Sequence, residues 1–248
     1  MRLVTVAGVV WLGLGGSARA ETYPQIVVDR PLVLLPGMTT VDLGIDFPTY
    51  RYGTSSNTAL GRYKDLDVVL DHAFGPVEVG ARFLDSFAGP FLSLAGIMLA
   101  GPGVVTFDAG LRAPTASSGI DHDYGQSVGY AVVARVVPHL LRFDAGVHLE
   151  AEQYSGVNAD GAYAHHPMGM EVTAGGTVQL VDELAFAVGV GVGIPILDTN
   201  GASASPDVGG SLNYTIDQFD FYGHISASDL FHTPRPYAGV GIVARFGG

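Results

Sequence analysis

From about residue 38 onward the chain is a succession of runs in which apolar and polar residues alternate, joined in turn by tight turns and by longer polar loops. Alternation with a period of two is the mark of a strand whose two faces meet different surroundings. Twelve such runs are predicted, at 38–48, 64–74, 77–86, 91–99, 103–113, 125–137, 140–153, 168–181, 184–197, 207–216, 219–230 and 237–246. Short turns fall at Gly75-Pro76, Gly101-Pro102, Pro138-His139, Asp182-Glu183 and Asp217-Gln218. Longer connections fall at 49–63, 87–90, 114–124, 154–167, 198–206 and 231–236, so short and long joints alternate.

The faces separate cleanly. In 140–150, Leu141, Phe143, Ala145, Val147 and Leu149 share one side, and Arg142, Asp144, Gly146, His148 and Glu150 the other. Along 219–228, Phe219, Phe221 and Ile225 stand against Asp220, Tyr222, His224, Ser226 and Ser228. A soluble sandwich also alternates. These runs, however, reach ten to fourteen residues, where a globular strand averages about five or six. The expected class is therefore all-β, a transmembrane antiparallel up-and-down barrel of 12 strands. A count of 10 stands open if 91–99 and its neighbour are not separate strands.

Residues 1–20 carry a different pattern. Arg2 precedes an apolar stretch, Leu3 to Gly16, and Ala18-Arg19-Ala20 is a small-x-small cleavage site, the sequence of a secretory signal peptide. The apolar stretch is too short for a spanning helix. Of the 12 basic residues, Arg2 and Arg19 would leave with the signal, so 10 face 24 acids and the net charge becomes −14. Such a surface excludes nucleic acid as a natural partner. Cysteine is absent, which removes disulfides and thiolate metal sites, and 35 glycines favour strands and tight turns over helices.

The last strand carries a further mark. Ala238, Val240, Ile242, Ala244 and Phe246 form an every-other-residue apolar file ending in an aromatic. This file resembles the C-terminal assembly signal of bacterial outer-membrane β-barrel proteins, with Val240, Ile242, Ala244 and Phe246 as the residues read. Gly247 and Gly248 follow the aromatic, where the class commonly ends on it. The resemblance implies residence in the outer membrane, with lipid, lipopolysaccharide and the barrel assembly machinery as partners. It also implies short turns and both termini on the periplasmic side, and long loops outside.

Three regions are expected: the signal at 1–20, a periplasmic lead-in at 21–37 and the barrel at 38–248. Pro24, Pro31 and Pro36 break up the lead-in, and an odd strand would spoil an even-numbered barrel. A plug in the barrel mouth is its functional reading; a tethered extension is the plainer one.

The phase of the apolar faces assigns Asp42, Asp46, Asp67, Asp71, Glu78, Asp108, Asp144, Glu150, Glu171 and Asp220 to the lumen, with Arg82, Arg112, Arg135, Arg142, Arg245 and His224. This negative excess favours cations if water runs through. Cross-lumen pairing that holds a small barrel shut is the competing account. On 184–196 the lumen side offers only Ala185, Ala187, Gly189, Gly191, Gly193 and Pro195. That is either a smooth wall beside a conduit or room for a bulky partner such as Tyr222.

Asp121-His122-Asp123, His165-His166 and His232 are the weak candidates for a loop metal site, but their spacing defines no coordination geometry, and no cofactor is expected. No G-x-S-x-G, H-E-x-x-H or phosphate-loop motif is present, which leaves an outer-membrane hydrolase as a minor reading. A narrow, cation-preferring diffusion channel or transporter for small solutes is the leading expectation. A closed barrel with a structural, adhesion or binding role through its loops is the alternative.

Overall fold

The computed structural model describes residues 23–51, 58–60, 65–86, 89–112, 120–158, 161–197, 204–228, 230–231 and 234–247. The strands are β1 (Thr39–Arg51), β2 (Thr58–Leu60), β3 (Asp65–Phe74), β4 (Val77–Ser86), β5 (Gly89–Ala100), β6 (Gly103–Arg112) and β7 (Ile120–Val136). They continue as β8 (Leu141–Asn158), β9 (Gly161–His165), β10 (Met168–Val181), β11 (Leu184–Leu197), β12 (Ser205–Ile216), β13 (Phe219–Ser228) and β14 (Arg235–Phe246). Every neighbouring pair is antiparallel, and β1 pairs with β14 from Thr39↔Phe246 to Pro48↔Tyr237, so the sheet closes on itself. Closure leaves no strand edge to satisfy, as a wall in hydrocarbon requires.

Twelve strands make the ring, because β8 pairs directly with β10, while β2 only extends β1 and β9 only extends β8. Several stretches expected as loops are in fact strand: 120–124 open β7, 154–158 lengthen β8, and 161–165 form β9. Polarity does not separate strand from loop there, since these stretches pair through the backbone, as in Tyr124↔Ser155 and Ser155↔Ala164. Asp121, His122 and Asp123 thus lie in β7 rather than on a connection.

The outer surface is apolar because the period-two pattern sends one side-chain set outward on every strand. Leu43, Leu94, Leu111, Phe143, Val190, Leu212, Ile225 and Val240 all stand exposed there, Ile225 at 69%. The apolar file of β14, including Ile242, Ala244 and Phe246, shares that face. Among the described residues no helix is long and apolar enough to cross a membrane. Among the described residues the buried apolar side chains are Val28 and Met38 at 1% and Val33 at 7%, in the segment preceding or opening β1, with Ala73 and Ala185 beside short turns of β3 and β11. The core therefore sits inside one end of the barrel.

That end carries the short turns and both ends of the barrel. Gly247 adopts φ +76°, and a Cβ there would lie 2.6 Å from the Gly37 carbonyl oxygen. Glycine lets the chain turn away against the start of β1, which accounts for a glycine after Phe246.

Candidate functional site in the barrel lumen

Three carboxylates hold all five lumen arginines whose side chains are described. Arg82 on β4 grips Asp67 on β3 with two hydrogen bonds, Nε to Oδ1 at 2.9 Å and Nη2 to Oδ2 at 2.6 Å. Arg135 on β7 and Arg142 on β8 converge on Asp144, at 2.6 and 2.9 Å. Arg30 and Arg245 both close on Asp220, which also accepts from Thr215 Oγ1 at 2.6 Å. Two further acids take neutral or imidazole partners. The Tyr222 hydroxyl donates to Asp42 at 2.9 Å, and His224 Nε2 lies 3.2 Å from Asp46, between the rings of Tyr222 and Tyr237.

Residues 23–37 fill the short-turn end from within, around a single 3₁₀ turn at Val27–Asp29. The Val27 amide donates to Gln179 Oε1 at 2.9 Å and its carbonyl accepts from Arg142 at 2.9 Å. Arg30 offers its carbonyl to Arg135 at 2.7 Å and its guanidinium to Asp220 and Thr215. On the far wall the Leu34 amide donates to Glu78 Oε2 at 2.9 Å. The Tyr23 ring lies against both Arg30 and Arg245, 5.5 and 5.3 Å from their guanidinium carbons. Burial there pushes the Tyr23 phenol above its ordinary value of 10.0, against the pull of the two guanidiniums. The segment touches walls from β4 round to β14 and so bridges the mouth.

The remaining lumen is a chain of spaces that share lining residues. A cavity of about 560 Å³ lies along Thr173, Gly175, Gly189, Gly209, Ser211 and Asp207. Asp207 also lines the next, about 410 Å³, with Glu150, Glu152 and Glu171. His148 and Glu150 join that to one of about 240 Å³ containing Asp108. Asp71 and Glu78 join the 240 Å³ cavity to a last one of about 210 Å³, beside Tyr23, Arg30 and Leu34. Each junction thus bears a carboxylate. A larger recess of about 710 Å³ is walled mainly by outward residues such as Phe47, Val208, Ile225 and Ala238, on the apolar exterior.

The two readings of the β11 glycines now separate. Tyr222 packs over Gly44 and Gly241 on β1 and β14, and a Cβ on Gly44 would meet its hydroxyl at 3.0 Å. Gly189 and Gly193 have only a backbone carbonyl near, at 3.7 and 3.8 Å. Those two face open space and form the smooth wall of the 560 Å³ cavity and its neighbour.

Sequence phase had marked sixteen lumen residues. Asp42, Asp46, Asp67, Arg82, Arg135, Arg142, Asp144, Asp220, His224 and Arg245 stand in the contacts above, and Asp71, Glu78, Asp108, Glu150 and Glu171 line the cavities. Arg112 ends β6, with its side chain outside the described residues. Of the metal candidates, His232 and the side chains of His122 and His165 also lie outside them, while His166 is exposed. Among the described residues no three His, Asp or Glu side chains come together as a metal site. Phase had missed Asp207 and Glu152, although Val208 and Leu212 place Asp207 inward and Leu149 does the same for Glu152. It had no means of finding Arg30, which lies in a stretch without periodicity.

No family model and no curated protein matches the chain. Solved structures do. The translocator domain of the autotransporter NalP from Neisseria meningitidis aligns with TM-score 0.55 at 14% identity, over 88% of this chain and 91% of its own. An outer membrane channel from Pseudomonas putida F1 aligns with TM-score 0.54 at 12% identity, over 92% of this chain and 100% of its own. LpxR from Salmonella typhimurium gives 0.51 at 10%, over 83% and 99%. At these identities the likeness is one of fold, and it spans proteins of different kinds. In architecture this chain is a closed twelve-stranded β-barrel of the kind found in bacterial outer-membrane proteins.

Proposed function

We propose that this protein is an outer-membrane diffusion channel for small solutes that prefers cations. The observation that carries the reading is the run of linked lumen cavities with an acid at every junction, Asp207, then Glu150, then Asp71 and Glu78. The five described lumen arginines sit on three carboxylates, Asp67, Asp144 and Asp220, which leaves two positive charges over. The acids outside those clusters, among them Asp71, Glu78, Asp108, Glu150, Glu171 and Asp207, outnumber them and set the sign of the field along the path. Carboxylates on a low-dielectric wall raise the local cation concentration and set a barrier to anions. The likeness to a solved outer membrane channel accords with this. In this reading the short-turn end faces the periplasm, after removal of a signal peptide, and the start of β7, the end of β8 and β9 stand outside.

Neutralising Asp67 or Asp144 would free an arginine as well as remove an acid, so those positions are poor tests. The informative variant is Asp108→Asn, Glu150→Gln, Glu171→Gln and Asp207→Asn together. In a planar bilayer with a salt gradient, the reversal potential of the refolded wild type should show cation preference, and the quadruple variant should lose most of it at similar conductance. An unchanged reversal potential in a conducting variant rejects the acids as the selectivity element. Absence of conductance from demonstrably folded protein, with 23–37 both present and deleted, rejects the channel.

A further inference from the structure

We infer that residues 23–37 are a gate held in a narrow state by a latch, in which Arg30 of the segment and Arg245 of β14 share the carboxylate of Asp220 on β13. The inference rests on the channel reading for its conductance arm and on geometry for the rest.

A passive tail would touch one wall. This segment is fastened to three separate parts of the ring at once, through Leu34 to Glu78 on β4 and through Arg30 to Asp220 on β13 and Arg135 on β7. Its fastenings differ in kind. Those at Val27 and Leu34 use main-chain groups, which any residue there would supply. Arg30 is the one charged side chain of the segment bonded to a wall carboxylate. Its guanidinium ties Asp220 and Thr215 and its own segment's Pro24 and Gln25 carbonyls, so it braces the segment as well as docking it.

The latch is dry. The side chains of Arg30 and Asp220 are 11% and 4% exposed, and that of Arg245 is 6%. Water does not weaken a pair so placed, and because Arg245 stays on Asp220, loss of Arg30 leaves the carboxylate paired and removes the hold of the segment on the wall. Yet the seated segment does not fill the mouth. The cavity of about 210 Å³ between it and Asp71, Glu78 and Val243 has room for several waters. A seated state with a narrow acid-lined leak and a released state with a wide mouth follow from one latch. Release would also free the Arg135 and Arg142 donors that the segment's carbonyls now occupy. The wide state should therefore be less cation-selective than the narrow one.

Two measurements test this. The first needs no conductance. Thr177 is 5% exposed, shares Arg142 with the Val27 carbonyl and lies two residues from Gln179, which holds the Val27 amide; the chain has no native cysteine, so Thr177→Cys provides a unique probe. A small maleimide should label it slowly in refolded protein and about tenfold faster when Arg30→Gln is added, the scale set by lost charge-assisted hydrogen bonds. Equal labelling rates would mean that the segment stays seated without the latch, and would overturn the inference whatever the protein conducts. The second is single-channel recording of wild type, Arg30→Gln and a chain lacking 23–37. Larger steps with weaker cation preference in both variants are expected, and a crosslink between Leu34→Cys and Glu78→Cys should return Arg30→Gln to the small steps. Faster labelling with unchanged conductance would leave a loosened segment that is no gate, with the channel reading intact. Silence from all three chains would refute the gate and the channel together.

Discussion

The Tyr222 hydroxyl donates to the Asp42 carboxylate at 2.9 Å across the closing seam of the barrel, although the two residues lie 180 positions apart in the chain. Tyr222 stands on β13, Asp42 on β1, and β14 runs between them, so the ring spans a whole strand. Gly241 on β14 makes that reach available, because any Cβ there would collide with the Tyr222 ring. The seam where first and last strands meet is thus pinned inside the lumen as well as by its backbone ladder.

Tyr222→Phe removes the donor and leaves Asp42 facing the lumen. The loss should be about 1 kcal/mol, the ordinary net worth of such a bond. Urea unfolding in lipid vesicles, read by the mobility shift of folded barrels in gels, measures it. An unchanged midpoint would mean that water replaces the phenol.

Glycine substitutions should divide by location. Gly189→Leu projects into the 560 Å³ cavity, where only the Ala174 carbonyl lies near, so the barrel should fold and conduct less. Gly241→Ala has no space beside Tyr222 and the Leu43 carbonyl, and should cost on the order of 1–3 kcal/mol as overpacking does. Refolding yield and conductance on both variants decide the point. Equal conductance in Gly189→Leu and wild type would place the solute path elsewhere.

Arg82 and Asp67 form a bidentate pair on adjacent strands, but Arg82 is 45% exposed to the lumen. Its worth to stability is therefore small, under about 1 kcal/mol. Its worth to the field is larger, since Arg82→Gln frees the Asp67 charge. Reversal potentials should shift toward greater cation preference with little change in the unfolding midpoint.

Tyr23 brings an alkaline limit. Its folded value lies above the ordinary 10.0 because burial disfavours the phenolate. A group raised on folding contributes stability that is fully present below its unfolded value and is lost as pH rises through the folded one. Seating of 23–37 should thus hold at neutral pH and weaken above about pH 10. Labelling of Thr177→Cys after a brief alkaline pulse, compared with the same pulse on Tyr23→Phe, reads the effect. Identical pulse responses would show that the phenol is not responsible.

Replacing Gly247 by Ala forces a side chain into a left-handed backbone and against the Gly37 carbonyl. A penalty of about 1 kcal/mol or more is expected from the backbone alone. The measurement is again the unfolding midpoint, with Phe246 and its outward file untouched.

The sequence alone determined the alternating strands and their faces and favoured a ring of twelve over ten, a choice closed when β5 and β6 stood as separate strands. The faces follow from a local rule: the pleat sends successive side chains to opposite sides, so Leu141, Phe143 and Val147 face lipid wherever the strand ends up. The same rule placed Asp67, Asp144 and Asp220 inward. It was silent on which acids are held by arginine, because pairing depends on the register between strands, as Arg135↔Asp144 on one hairpin and Arg82 beside Asp67 on another show. It also misjudged 120–124, 154–158 and 161–165, where polarity no longer separates strand from loop. Only the tertiary structure placed Arg30 on Asp220, 190 residues away. No periodicity encodes that contact. Closing the barrel creates the pocket into which residues 23–37 fit, and a site made by closure has no signature in the run of residues that fills it.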